Sequence, residues 1–220
     1  MTQLVPYRST PAGACLTNDN WYALGITMIA YDCAEWVMKP GLAYFPGLET
    51  IHEFLGWTQD VLLDARTLTP HAHGGFRIKS HYDGATHHFT ETDFWALIDR
   101  LQPTVLLLPK GMIFLESYLK RAVSKIIWDC ESEGYDLSDK PSADGYQGRI
   151  YRAESSVIRT VSILDTVFSE HFAPIDSACI CPTCQQGLTC AYLHYLYQST
   201  PLLCQRYLIM HNVQMRQQAA

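Results

Sequence analysis

Cys179-Ile180-Cys181-Pro182-Thr183-Cys184, with His211 further along the chain, is the stretch on which the reading of this fold turns. Three thiols within six residues are more than packing asks for. Thiolate and imidazole are the ligands that Zn²⁺ prefers, and a structural zinc site closes at four of them in a tetrahedron. Cys179, Cys181 and Cys184 can face one ion from a single tight loop, in which Pro182 is expected to stiffen the turn and prevent regular structure. Downstream, Tyr192, Leu193, Tyr195, Leu196, Leu202 and Leu203 predict a helix, a break near Pro201 and a second helix. One helix leaving the thiol loop and another returning bring His211 back beside the cysteines. Cys179, Cys181, Cys184 and His211 are therefore predicted to hold one structural Zn²⁺ per chain. His194 is the rival fourth ligand, and its own helix is expected to direct it elsewhere.

Composition bounds what surrounds this site. A chain of 220 residues with 48 % hydrophobic and 17 % charged residues is globular. The start, Met1 to Arg8, has no apolar run of signal-peptide length, and no segment approaches about 18 uninterrupted apolar residues. The expectation is a cytoplasmic protein with reduced thiols and no membrane association. Cys15, Cys33, Cys130, Cys190 and Cys204 then read as small hydrophobes. A net charge of −6 argues against general nucleic-acid affinity, which grows from clustered Lys and Arg. The distribution differs, because from Ser177 onward there is no Asp or Glu, only Arg206 and Arg216. With Zn²⁺ bound to three thiolates, about −1 in all, that end is roughly +1.

Short apolar runs alternating with helical patterns predict an α/β chain. Gly25–Tyr31, Val61–Asp64, Thr104–Leu108 and Ile126–Asp129 read as strands, and Gly75–Phe89 as a hairpin turning at Asp83-Gly84. Helices are expected over Leu48–Leu55, Ile113–Lys125 and Glu91–Leu101, the last opened by Thr90 with Asp93 in a capping box. Glu131–Gln147, rich in Ser, Gly, Asp and Pro, reads as a loop. Val157–Phe168 reads as strand first, on its β-branched run. His71, His73, His81, His87 and His88 read as solvated imidazoles on the hairpin surface, not as a second metal site.

The run Ala173-Pro174-Ile175-Asp176 into Cys-x-Cys-x-x-Cys, then Ala191 to Leu196 and His211-Asn212, resembles the zinc subdomain of tRNA-guanine transglycosylases, the queuine/archaeosine tRNA-ribosyltransferases. In that family the third cysteine and the histidine stand one residue closer. The N-terminal half is similar too, through Lys39-Pro40-Gly41, Gly47-Leu48, Phe54 to Trp57 and Ser80-His81-Tyr82-Asp83-Gly84 with His87. The resemblance covers roughly residues 20–100 and 170–215. It implies a shortened or incomplete TIM-type (β/α) barrel over residues 1–168 and a zinc-binding subdomain over 169–220. A full barrel takes about 250 residues, so five or six strands are expected in place of eight. Open strand edges then predict a homodimer, or a heterodimer with a full-length relative.

The chemistry that the resemblance implies is base exchange on tRNA. A carboxylate attacks C1′ of a guanosine, guanine leaves, and a 7-deazaguanine base replaces it, as in queuosine- or archaeosine-type modification. Such a pentosyltransferase needs one nucleophilic carboxylate and one that moves protons. Asp64 matches the proton-handling acid of the family's Asp-Ser-Gly-Gly strand end, although the run here is Asp64-Ala65-Arg66-Thr67. Asp129, at the end of an apolar run, is the preferred nucleophile, with Asp136 and Asp139 as alternatives. Pro109 and Lys110 stand where the base-recognising acid is expected. Two functions follow: an exchange enzyme acting on tRNA or a related nucleic acid with guanine or 7-deazaguanine, or a non-catalytic zinc subunit that binds tRNA or a full-length partner.

Overall fold

The computed structural model describes residues 2–41, 50–71, 74–109, 112, 125–127, 134–154 and 157–219. They divide into two compact units, the first drawn from residues 1–26 and 134–220, the second from 27–133. The chain opens the first unit with β1 (Gln3–Leu4) and α1 (Asn18–Ala23) before entering the second.

The second unit is built on a parallel sheet. β2 (Met28–Asp32) is followed by the short α2 (Cys33–Trp36) and α3 (Ile51–Leu55), and then by β3 (Asp60–Asp64). An antiparallel hairpin, β4 (Phe76–Lys79) with β5 (Thr86–Phe89), leads to α4 (Glu91–Leu101), β6 (Val105–Leu107) and β7 (Lys125–Ile127). The parallel order is β2-β3-β6-β7. Val61, Leu62 and Leu63 are consecutive and all 0 % exposed, so both faces of β3 are covered, as in sheets of α/β proteins. α4 starts as the Thr90–Asp93 spacing predicts. Asp93 N–H donates to Thr90 Oγ1 at 3.1 Å, and Thr90 N–H donates to the Asp93 carboxylate at 2.9 Å. The Asp83-Gly84 turn falls where expected, with Gly84 at φ 74°. The four parallel strands described are half the eight of a closed (β/α)₈ barrel.

The rest of the first unit runs β8 (Tyr135–Asp136), α5 (Lys140–Tyr146), β9 (Arg149–Glu154), β10 (Val157–Ser162), α6 (Pro182–Gln185), α7 (Cys190–Ser199) and α8 (Pro201–Gln218). β8 pairs parallel with β1, and β9 pairs antiparallel with β10. α8 is the hub, packed against α5, α6, α7 and β9. Its buried residues include Leu208, Ile209, Met210, His211, Asn212 and Val213 in unbroken succession, which a helix shows only when it is covered on all sides. The stretch from Cys179 onward thus shares its core with β9 through Ile150 and Tyr151, with Ile158 and Val161 of β10 packed against it.

Much of the segment expected to be a loop is regular structure. Within Glu131–Gln147, read as a loop, residues 135–136 form β8 and 140–146 form α5, while 131–133 lie outside the described residues. Pro141, Ser142, Asp144 and Gly145 are poor interior helix formers, so local propensity hides α5. Tertiary contact forms it. A Cβ on Gly145 would sit 2.7 Å from the backbone nitrogen of Ile209, so only glycine allows α5 and α8 to approach this closely. Asp144, buried in α5, accepts from Lys140 at 2.7 Å and from the Tyr151 hydroxyl at 2.9 Å. The expected helix over Ile113–Lys125 lies outside the described residues up to 124, and Lys125 begins β7. Among the described residues no helix is long and apolar enough to cross a membrane.

Candidate metal centre

Pro182 opens α6 instead of preventing regular structure, a second correction. Proline suits the first helical position, where its missing N–H would have had no partner. Cys181 is the cap of that single turn, its Sγ accepting from Cys184 N–H at 3.3 Å, while Cys181 N–H donates to Cys179 Sγ at 3.4 Å. Backbone donors aimed at sulfur favour the thiolate. The Thr183 hydroxyl donates to Tyr207 O at 2.7 Å and ties the turn to α8. α7 then leaves from Thr189, whose hydroxyl accepts from Tyr192 N–H at 3.1 Å, and α8 returns from Pro201.

The return brings His211 to the thiols. The ligand atoms of Cys179, Cys181, Cys184 and His211 all lie within 4.8 Å of one another, and all four residues are buried. His211 Nδ1 is 3.6 Å from Cys181 Sγ and 3.4 Å from Cys184 Sγ. Its Nε2 is 2.7 Å from the carbonyl oxygen of Tyr151. A carbonyl only accepts, so Nε2 carries the hydrogen and the Nδ1 lone pair points at the sulfurs. Metal-binding histidines are oriented in this way by a partner on the other nitrogen. His194 is engaged elsewhere, with Nδ1 2.8 Å from Ile163 O and Nε2 3.0 Å from Gln198 Nε2.

The thiols interact strongly with each other. Hydrogen bonds with Cys179 and then Cys184 hold Cys181 far below the usual thiol range, against the effect of burial. Hydrogen bonds with Cys179 and then Cys181 drive Cys184 upward. A buried cluster of this kind holds protons between its sulfurs, and a divalent ion takes the place of those protons. Three thiolates and one imidazole form a donor set suited to Zn²⁺ in a closed structural site. The group could hold such an ion. Of the remaining cysteines, Cys33, Cys190 and Cys204 are buried, Cys15 is partly exposed, and Cys130 lies outside the described residues.

The candidate carboxylates are in different settings. Asp64 ends β3 and is buried, and Arg66 clamps it. Its Oδ1 accepts from Arg66 N–H at 3.0 Å and from Nε at 2.9 Å, and its Oδ2 accepts from Nη2 at 2.7 Å. Sequence reasoning passed over Asp32, which is paired with Asp64 in register at the end of β2. Asp32 accepts from Ala34 N–H at 2.7 Å and from the Thr67 hydroxyl at 3.0 Å, and burial raises its pKa. The signal for it was Asp32-Cys33-Ala34-Glu35, a helix-start spacing directly after a strand. Asp129 lies outside the described residues.

Asp136 and Asp139 belong to the first unit. Arg216 binds Asp136 through Nε at 2.9 Å and Nη2 at 2.7 Å, so one of the two cations beyond Ser177 is neutralised. Burial pushes Asp139 up to about 6, opposed by a 3.2 Å hydrogen bond from Thr10. A carboxyl whose folded pKa is raised favours folding when protonated. That contribution is present at low pH and is lost as pH climbs from about 4 to about 6. Asp139→Asn should therefore be more stable than the parent at pH 7 and no more stable below about pH 4, as read by urea unfolding across that range.

Of the histidines near the hairpin, His81 and His88 are exposed, His71 and His87 are half-buried, and His73 lies outside the described residues. Among the described residues, Cys179, Cys181, Cys184 and His211 form the one group of three or more such side chains close enough to share a metal.

Comparison with known proteins adds to this geometry. The family described as queuine tRNA-ribosyltransferase matches residues 122–219. A queuine tRNA-ribosyltransferase of Sorangium cellulosum is 30 % identical over 82 residues, 36 % of this chain and 20 % of that relative. One from Clostridium kluyveri is 28 % identical over 89 residues, 40 % of this chain and 22 % of that relative. The chain thus spans about a fifth of the length of the curated relatives it matches.

Proposed function

Since the chain belongs to the queuine tRNA-ribosyltransferase family through residues 122–219, we propose that it serves tRNA-guanine transglycosylation as a zinc-bearing subunit that contacts tRNA or a full-length relative, and that it does not itself exchange bases. The observation that carries this reading is the Arg66 clamp on Asp64. A bidentate guanidinium takes both carboxylate oxygens, so a substrate base would have to displace Arg66 before it could reach them. Arg66 stands in a run where the family has small residues that leave room for the base.

Cys179, Cys181, Cys184 and His211 would hold one Zn²⁺, and the ion would supply cross-linking of α6 and α8, not an activated water. In this proposal β2-β3-β6-β7 is a portion of a TIM-type barrel, and its outer strands β2 and β7 are the edges through which a second copy or a full-length partner adds. The reduced thiols fit a cytoplasmic setting.

The catalytic reading is favoured by one observation, the position of Asp64 at the C-terminal end of a parallel strand, where barrels carry their acids. There Asp64 would handle protons for an Asp129 nucleophile, with guanine or a 7-deazaguanine in the pocket. A radiolabelled guanine-exchange assay on unmodified tRNA separates the two. The proposal expects incorporation at the no-protein background for the chain alone, for Asp64→Asn and for Asp129→Asn. Exchange above background that either substitution abolishes would establish the enzyme.

A further inference from the structure

A cavity of about 230 Å³ opens in the first unit beside the thiol stretch, lined by Arg152, His171, Ala173, Pro174, Asp176 and Ser177, among others. We propose that this cavity is a binding subsite for a phosphate group, taking a backbone phosphodiester of single-stranded RNA.

Two independent features carry the inference. The first is Arg152. It is half-buried in the cavity wall, and among the described residues no hydrogen bond or ion pair engages its side chain. A guanidinium withdrawn from water without a carboxylate partner is costly, and its planar fork matches phosphate oxygens. The second is the register of the hairpin. Arg152 stands directly across from Arg159, and like charges in opposed positions destabilise an antiparallel pair. Arg159 is relieved by Glu154 at 3.3 Å. Among the described residues Arg152 has no such relief, and an anion in the cavity would supply it.

The other walls fit the same ligand. His171 adds a ring donor. The one acid, Asp176, has its Oδ1 occupied by Ala178 N–H at 2.8 Å. From Ser177 onward there is no Asp or Glu. The volume lies below the roughly 300–1,000 Å³ of sites for drug-sized ligands, so a phosphate with part of its sugar is accommodated and a complete nucleotide is not. The choice of RNA over a free phosphate rests on the proposed family function, whereas the anion site itself does not.

The test uses the full chain with its metal content verified, and reads binding of a fluorescein-labelled single-stranded RNA oligonucleotide by anisotropy. In parallel, inorganic phosphate and a nucleoside 5′-monophosphate are titrated by calorimetry. Arg152→Gln should weaken RNA binding about tenfold or more, and the salt dependence should become shallower by about 0.7 in slope. Arg152→Lys, which keeps the charge, should lose less. Arg206→Gln, outside the cavity, should bind as the parent does. Zinc content and circular dichroism of Arg152→Gln must match the parent, which separates loss of the site from misfolding; zinc loss in the parent would count against the family reading and not against this one. RNA affinity unchanged by Arg152→Gln, or lowered equally by Arg206→Gln, would overturn the proposal. An effect seen only with the small phosphates would keep the anion site and overturn the RNA assignment.

Discussion

Removing the metal is expected to unfold the first unit. Structural zinc in small domains contributes on the order of 10–16 kcal/mol of apparent binding energy at neutral pH. A whole domain is stable by only about 5–15 kcal/mol, so the unit cannot absorb that loss. His211 and the thiols are buried, and α8 carries contacts to α5, α6, α7 and β9. A strong chelator, or Cys181→Ser, should therefore release residues 134–219 together, well beyond the last fifty residues. Residues 27–133 contain none of these elements and should lose less. Hydrogen exchange with and without chelator reads the two units separately. Equal loss of protection in both, or loss in neither, would contradict the account.

The second large effect is expected at Asn212, which is 0 % exposed and fully hydrogen-bonded. Its Oδ1 accepts from Tyr151 N–H at 2.9 Å, and its Nδ2 donates to Arg149 O at 2.9 Å and Pro141 O at 3.2 Å. The neighbouring His211 takes Tyr151 O. Two consecutive side chains of α8 thus satisfy both backbone groups of one β9 residue. Asn212→Ala removes three hydrogen bonds, two of them buried and the one to Arg149 O part-buried, each worth about 1–3 kcal/mol and not additively, so a loss of about 3 kcal/mol is expected. Urea unfolding checks the stability. Transfer of zinc to a chromogenic chelator should also be faster in the variant, because the positioning of His211 depends on β9. A stability change under about 0.5 kcal/mol, typical of an inconsequential surface site, would sink this prediction.

The sequence made some of this legible and concealed the rest for physical reasons. The thiol spacing, the break at Pro201 and the position of His211 were readable because they follow from ligand chemistry and helix periodicity, both local. The start of α4 was readable because Thr90 and Asp93 satisfy each other within four residues. α5 was concealed because its residues oppose a helix locally, and the contact that overrides them, Gly145 on Ile209, spans more than sixty positions. The carbonyl that fixes the His211 tautomer is sixty residues away from it. The Arg66 clamp is two residues from Asp64, yet a side chain turning back onto its own strand end leaves no periodic trace. Asp32 was missed because the strand was read as ending at Tyr31.

The central claim is a closed Cys₃His site in a chain whose residues 122–219 match the queuine tRNA-ribosyltransferase family. X-ray absorption at the zinc edge, on protein purified without added metal and quantified for zinc, tests it most directly. The account predicts one zinc per chain, three sulfurs at about 2.3 Å and one nitrogen at about 2.0–2.1 Å, with that nitrogen lost in His211→Ala. Zinc well below one per chain, or a nitrogen shell unchanged by His211→Ala, would contradict it.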